Sequence, residues 1–92
     1  MTVEQWTVNV DDNAKKGLKK VKKIPNLLKR LKMIVTELRQ DPYSKKYGGE
    51  PLRYSHRAYS MRLSKKDRVV YVVRPDERIV DLVEIGGHYG DK

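Results

Sequence analysis

Cysteine is absent from the 92 residues. That excludes a disulfide framework and any zinc site built on thiolates, and it suits a reducing, cytoplasmic setting. Long apolar runs are missing as well. The uninterrupted stretches reach only a few residues, too short to cross a bilayer, so no membrane association is expected. The opening residues, MTVEQWTVNVDD, lack the basic-then-apolar pattern of a secretory leader. There is no glycine-rich phosphate loop of the Walker type, no internal repeat and no low-complexity segment. Histidine is scarce: His56 and His88 stand far apart without spaced acids and make no recognisable ligand set, so no metal or other cofactor is expected. Acid, finally, is missing where base is densest. Between Asn13 and Thr36 nine lysines and arginines occur with no aspartate or glutamate among them.

What is present follows from that imbalance. Lysine and arginine number 21 against 12 acids, a formal net charge of +9. A small chain this basic is drawn to polyanions, nucleic acid first among them. The stretch from Lys15 to Lys32 reads either as a pair of helices with solvated lysine faces or as an electrostatic surface for RNA or an acidic protein. The missing counter-charges favour the second reading, because ordinary exposed helices intersperse both signs. Residues 1–92 suit a single domain with one modest core.

Along the chain, Trp6, Val8 and Val10 alternate with polar residues and predict a strand. Ala14, Leu18 and Val21 recur at helical spacing, with Asp11 or Asp12 as N-cap. Pro25 ends that helix near Lys23 and opens a second one, whose stripe is Leu27, Leu28, Leu31, Ile34, Val35 and Leu38. DPYSKKYGGEP is a predicted loop. Beyond it the period becomes two: Tyr59, Met61 and Leu63 alternate with Ser60 and Arg62, then RVVYVV and RIVDLVEI follow, joined by RPDER. The order β-α-α-β-β-β predicts an α+β fold, an antiparallel sheet with a helical hairpin packed on one face. Alternation then puts Ser60 and Arg62 on the opposite face, which Arg68, beginning the next strand, could join; that face should be open, polar and basic.

Several residues could carry chemistry. His88 and Tyr89, in the terminal EIGGHYGDK, belong either to a solvated tail or to a site fed by the last strand. Glu50, between Gly49 and Pro51, is a loop acid that either solvates a turn or accepts a proton. Arg68 could pair with a carboxylate or grip a phosphate. Tyr89 could pack or stack on a base. Trp6 and Tyr71 read as core residues, and His56 has no assigned role.

The combination carries more than its parts. Glu50-Pro51-Leu52, Tyr59-Ser60-Met61-Arg62, Arg68-Val69-Val70-Tyr71 and His88-Tyr89 occur in the order found in the RelE superfamily of bacterial toxins. The sequence resembles the YoeB/Txe branch most closely, over essentially the whole chain, and LLKRLKMIVTELRQDPY resembles that family's second helix and its exit. The resemblance implies a metal-independent mRNA interferase: a ribosome-dependent endoribonuclease that cuts mRNA in the A site and stops translation. It implies as partners the ribosome, its mRNA and a cognate antitoxin of the YefM/Phd kind, and allows a homodimer. It assigns Glu50 as base, His88 as acid, Arg68 as the phosphoryl-stabilising cation and Tyr89 as the residue that orients or stacks on a base. Arg62 is a second phosphate contact on the same predicted face. Lys65 and Lys66, in a turn more basic than the family's usual one, are further contacts to RNA phosphates. The sequence departs from the family in continuing through Gly90-Asp91-Lys92 and in carrying Ala58 where a bulkier aromatic is common; both bear on codon preference more than on reaction type. The alternatives are a non-catalytic module of the same fold that binds RNA or antitoxin, and a basic RNA-binding domain unrelated to toxins.

Overall fold

The computed structural model describes residues 5–53 and 57–87. The chain forms strand β1 (Thr7–Val10), helices α1 (Asp12–Lys22) and α2 (Pro25–Gln40), and a 3₁₀ turn (Lys46–Gly48). Strands β2 (Glu50–Pro51), β3 (Ala58–Arg62), β4 (Arg68–Arg74) and β5 (Ile79–Gly87) follow. One five-stranded sheet runs in the order β1-β5-β4-β3-β2.

Local chemistry accounts for the helices. The Asp11 carboxylate accepts the Asn13 backbone N–H at 3.1 Å and caps α1, satisfying a donor that no helical carbonyl can reach. Pro25 occupies the first turn of α2, where a missing N–H costs nothing. Both helices turn the predicted stripe inward: Ala14, Val21, Leu31, Ile34 and Leu38 are buried, and Leu18, Leu27, Leu28 and Val35 are partly buried against them. They meet Met61, Val69, Tyr71, Val73, Val80 and Leu82 from the sheet in one apolar core. α1 rides on β5 at Gly17, where a Cβ would run into the Ile85 carbonyl.

Two features differ from expectation. The sheet is mixed rather than wholly antiparallel: β1 pairs in parallel with β5, Val8 opposite Val80 and Val10 opposite Leu82. The N-terminal strand takes the sheet edge left open beside β5, where its apolar residues join the same core face. There is also an extra strand, β2, within the stretch predicted as loop. Its two residues pair antiparallel with the outer edge of β3. Ser64 organises the β3–β4 turn, its hydroxyl donating to the Asp67 carboxylate at 3.0 Å and accepting the Asp67 backbone N–H at 3.1 Å.

Candidate active site

The site is built by strand register. Glu50 is not a loop acid as expected: it lies on β2, directly opposite Ser60. Across the next ladder Arg62 stands opposite Arg68, and Arg68 in turn stands opposite Gly87. The last pairing requires a bulge. Val69 pairs with Ile85 but Arg68 pairs with Gly87, so Gly86 is the extra residue, at φ +73°. That conformation suits glycine, and the bulge re-phases β5 just where it passes Arg68.

Arg68 is the centre of the arrangement. Its side chain is only 15% exposed, and its Nη2 donates to Glu50 Oε2 at 3.0 Å. Nε and Nη2 also donate to Ser60 Oγ, at 3.1 and 2.8 Å. The sequence put Ser60 on an open face. The face is right and the openness is not: Ser60 is fully buried, and its neighbours Ala58 and Val70 are nearly so. Arg74, at the other end of β4, shows the contrasting structural use of the same residue type. Its guanidinium is divided between two carboxylates, Asp81 at 2.8 Å and Glu77 at 2.7 Å, and clamps the β4–β5 turn. The hydrogen bond to Asp81 raises its already high pKa further. Arg68 instead has one carboxylate and one neutral hydroxyl.

Arg62 is exposed beside this centre, its stem near Gly48. Its carbonyl accepts the Arg30 Nε–H at 3.1 Å, and Arg30 lies over the Tyr47 ring at 4.6 Å, so α2 and the 3₁₀ turn brace the end of β3. Lys65 and Lys66 are exposed on the β3–β4 turn. Lys66 lines a cleft of about 340 Å³ with Lys20, Val21, Ile24 and Gly86, on the α1 side rather than beside Glu50. His88 and Tyr89 lie outside the described residues, as does His56. No group of three or more His, Cys, Asp or Glu that could hold a metal occurs among the described residues.

Two arginines directly opposite each other across a ladder repel, which costs stability unless an anion lies between or beside them. Glu50 supplies one carboxylate to that pair, leaving an excess of positive charge at a partly buried position. Such a position favours a further anion, and arginine's planar donor fork matches phosphate oxygens. Glu50 itself keeps 60% of its side chain in solvent, so an incoming group can reach it. Sequence reasoning missed Ser60 as a member of the set. The available signal was its place two residues before Arg62 on the face shared with Arg68.

The sequence matches no family model, and no curated protein matches it. Solved structures do match. A YoeB/ParE toxin from Agrobacterium tumefaciens superposes at TM-score 0.81 with 14% identity, over 90% of this chain and 99% of that one. A heterotetrameric YoeB–YefM toxin–antitoxin complex from Staphylococcus aureus matches at 0.75 with 17% identity, over 91% and 98%. A metal-bound toxin from Helicobacter pylori matches at 0.76 with 26% identity, over 92% and 97%. The chain has the fold of the RelE-superfamily toxins, with YoeB toxins among the structures it resembles.

Proposed function

We propose that this protein is the toxin of a toxin–antitoxin pair, a ribosome-dependent endoribonuclease that cuts mRNA in the A site without a metal. The observation that supports this most is the convergence of Glu50, Ser60 and Arg68, with Arg62 in cross-strand register, on a face of a toxin fold. Glu50 takes the proton of a ribose 2′-OH. The oxygen attacks the adjacent phosphorus, the bond from phosphorus to the 5′-oxygen breaks, and His88 gives that oxygen a proton. The products are a 2′,3′-cyclic phosphate and a 5′-OH. Arg68 and Arg62 stabilise the negative charge that grows on the phosphoryl oxygens, a contribution that rests on donors already in place. His88 follows Gly87, the register partner of Arg68, in the sequence. Tyr89 orients a base. Lys65, Lys66 and the basic helices contact ribosomal or messenger phosphates.

The partner proposed for restraint is an antitoxin with an acidic, partly disordered segment. An apolar groove of about 450 Å³ between the helices and the sheet, rimmed by Lys32 and Arg39, has the polarity such a segment needs. A homodimer is a further proposal, YoeB from Staphylococcus aureus having been seen as a dimer.

Primer extension on mRNA in a translating extract tests the reading, comparing the native protein with Glu50→Ala and His88→Ala. New ends should appear with the native protein and fall by about 10²-fold or more in each variant. Equal cutting by all three, or no cutting by the native protein, would sink it.

A further inference from the structure

The buried hydroxyl beneath Arg68 has one visible employment. Ser60 is wholly inaccessible on a face it shares with Ala58 and Val70, where an alanine would pack as well. Its Oγ accepts from Arg68 twice, at Nε and at Nη2. Burying a hydroxyl costs stability unless it is hydrogen-bonded, and a charged donor offsets that cost best.

A guanidinium has two edges of paired N–H groups suited to an oxyanion, one made by Nε and Nη2 and the other by Nη1 and Nη2. Ser60 occupies the first edge. The second Nη2 hydrogen goes to Glu50 Oε2, and Nη1 makes no hydrogen bond among the described residues. We propose that Ser60 is the positioning residue of this site: it pins the inner edge of Arg68, so that only the Nη1–Nη2 edge meets a phosphate. A phosphate taking that edge competes with Glu50 for the Nη2 hydrogen. Binding therefore frees the carboxylate as it fills the site, and the base becomes available when there is something to deprotonate. Without Ser60, Arg68 follows Glu50 or turns either edge outward, and the ion pair no longer yields to the phosphate in a fixed geometry. The catalytic part of this rests on the cleavage proposed above, whereas the pinning of Arg68 does not.

The test separates the two. In the free protein, ¹⁵N NMR follows solvent exchange of the Arg68 Nε–H during a titration with inorganic phosphate. The variants are Ser60→Ala and Ser60→Cys, both of which remove the strong acceptor while keeping a small side chain; thermal melting checks that each is folded, and either one suffices. Exchange at Nε–H should quicken by about tenfold or more and phosphate affinity should drop, since a fixed group loses its anchor. In the translating extract the same variant should lose about tenfold or more in the cleavage rate at saturation, with a smaller change in the concentration for half-maximal rate. Nε–H exchange and phosphate affinity unchanged from native would overturn the proposal, as would cleavage within twofold of native. A native protein that cuts no mRNA, with the NMR differences intact, would remove the cleavage reading and leave the pinning of Arg68 standing.

Discussion

Glu50, Arg62 and Arg68 were legible as candidates because residue type and motif order carry that information. Their environment was not. Alternation along β3 gives the face on which Ser60 lies, but it cannot give depth: an arginine from the neighbouring strand folds over the hydroxyl and covers it. Tyr71 shows the same limit from the other side. It was expected in the core and is there, fully buried, stacked on Tyr59 with ring centroids 5.9 Å apart. Its hydroxyl, however, has no hydrogen-bond partner among the described residues. Burial pushes its pKa up, with the Tyr59 charge adding to the effect. Since the folded-state pKa is the higher one, this stability is present below the ordinary tyrosine value and is lost as the pH rises past it. Tyr71→Phe removes an unsatisfied polar atom and should raise stability by about 1 kcal/mol at neutral pH, with a shallower loss in alkali. Denaturant unfolding at pH 7 and above pH 10 reads both; a variant less stable than native at pH 7 would show that the hydroxyl has a partner.

Elements were read more surely than their neighbours. Both helices ended where the prolines and caps put them, because those signals act within a few residues. The parallel pairing of β1 with β5 and the short β2 depend on which edges the folded sheet leaves available, and no local pattern reports that. Glu50 is the instructive case. Its flanking glycine and proline signalled a loop, yet two residues of ladder suffice to fix it opposite Ser60. Close approach is equally invisible locally. Gly17 reads as a weak point in a helix, where alanine would gain about 1 kcal/mol of propensity. The Ile85 carbonyl stands where that Cβ would go, and overpacking of this kind costs about 1–3 kcal/mol. Gly17→Ala should therefore destabilise the protein and shift α1 away from β5, seen as a lower melting temperature. A rise would mean that α1 has room to move.

At the scale of the molecule, charge and fold divide the surface. All of the basic residues from Lys15 to Lys32 except the partly buried Arg30 are exposed, and the only ion pair they make among the described residues is Lys15 with Asp12 at 3.0 Å. Exposed lysines of one sign contribute little to the fold and much to the attraction of a polyanion. If the helices dock on ribosomal RNA, affinity for the ribosome should fall steeply as salt rises, by several powers of the salt concentration. A flat response in a sedimentation assay would remove that role while leaving the proposed catalytic face untouched.

The central claim is chemical: a ribose 2′-OH performs the cut. An mRNA carrying a single 2′-deoxynucleotide at the cleaved position, programmed into the ribosomal A site, tests it directly. Cleavage at that bond should vanish, while an all-ribose control is cut and its 3′ ends carry a 2′,3′-cyclic phosphate. Cutting of the deoxy substrate at the rate of the control would contradict the account.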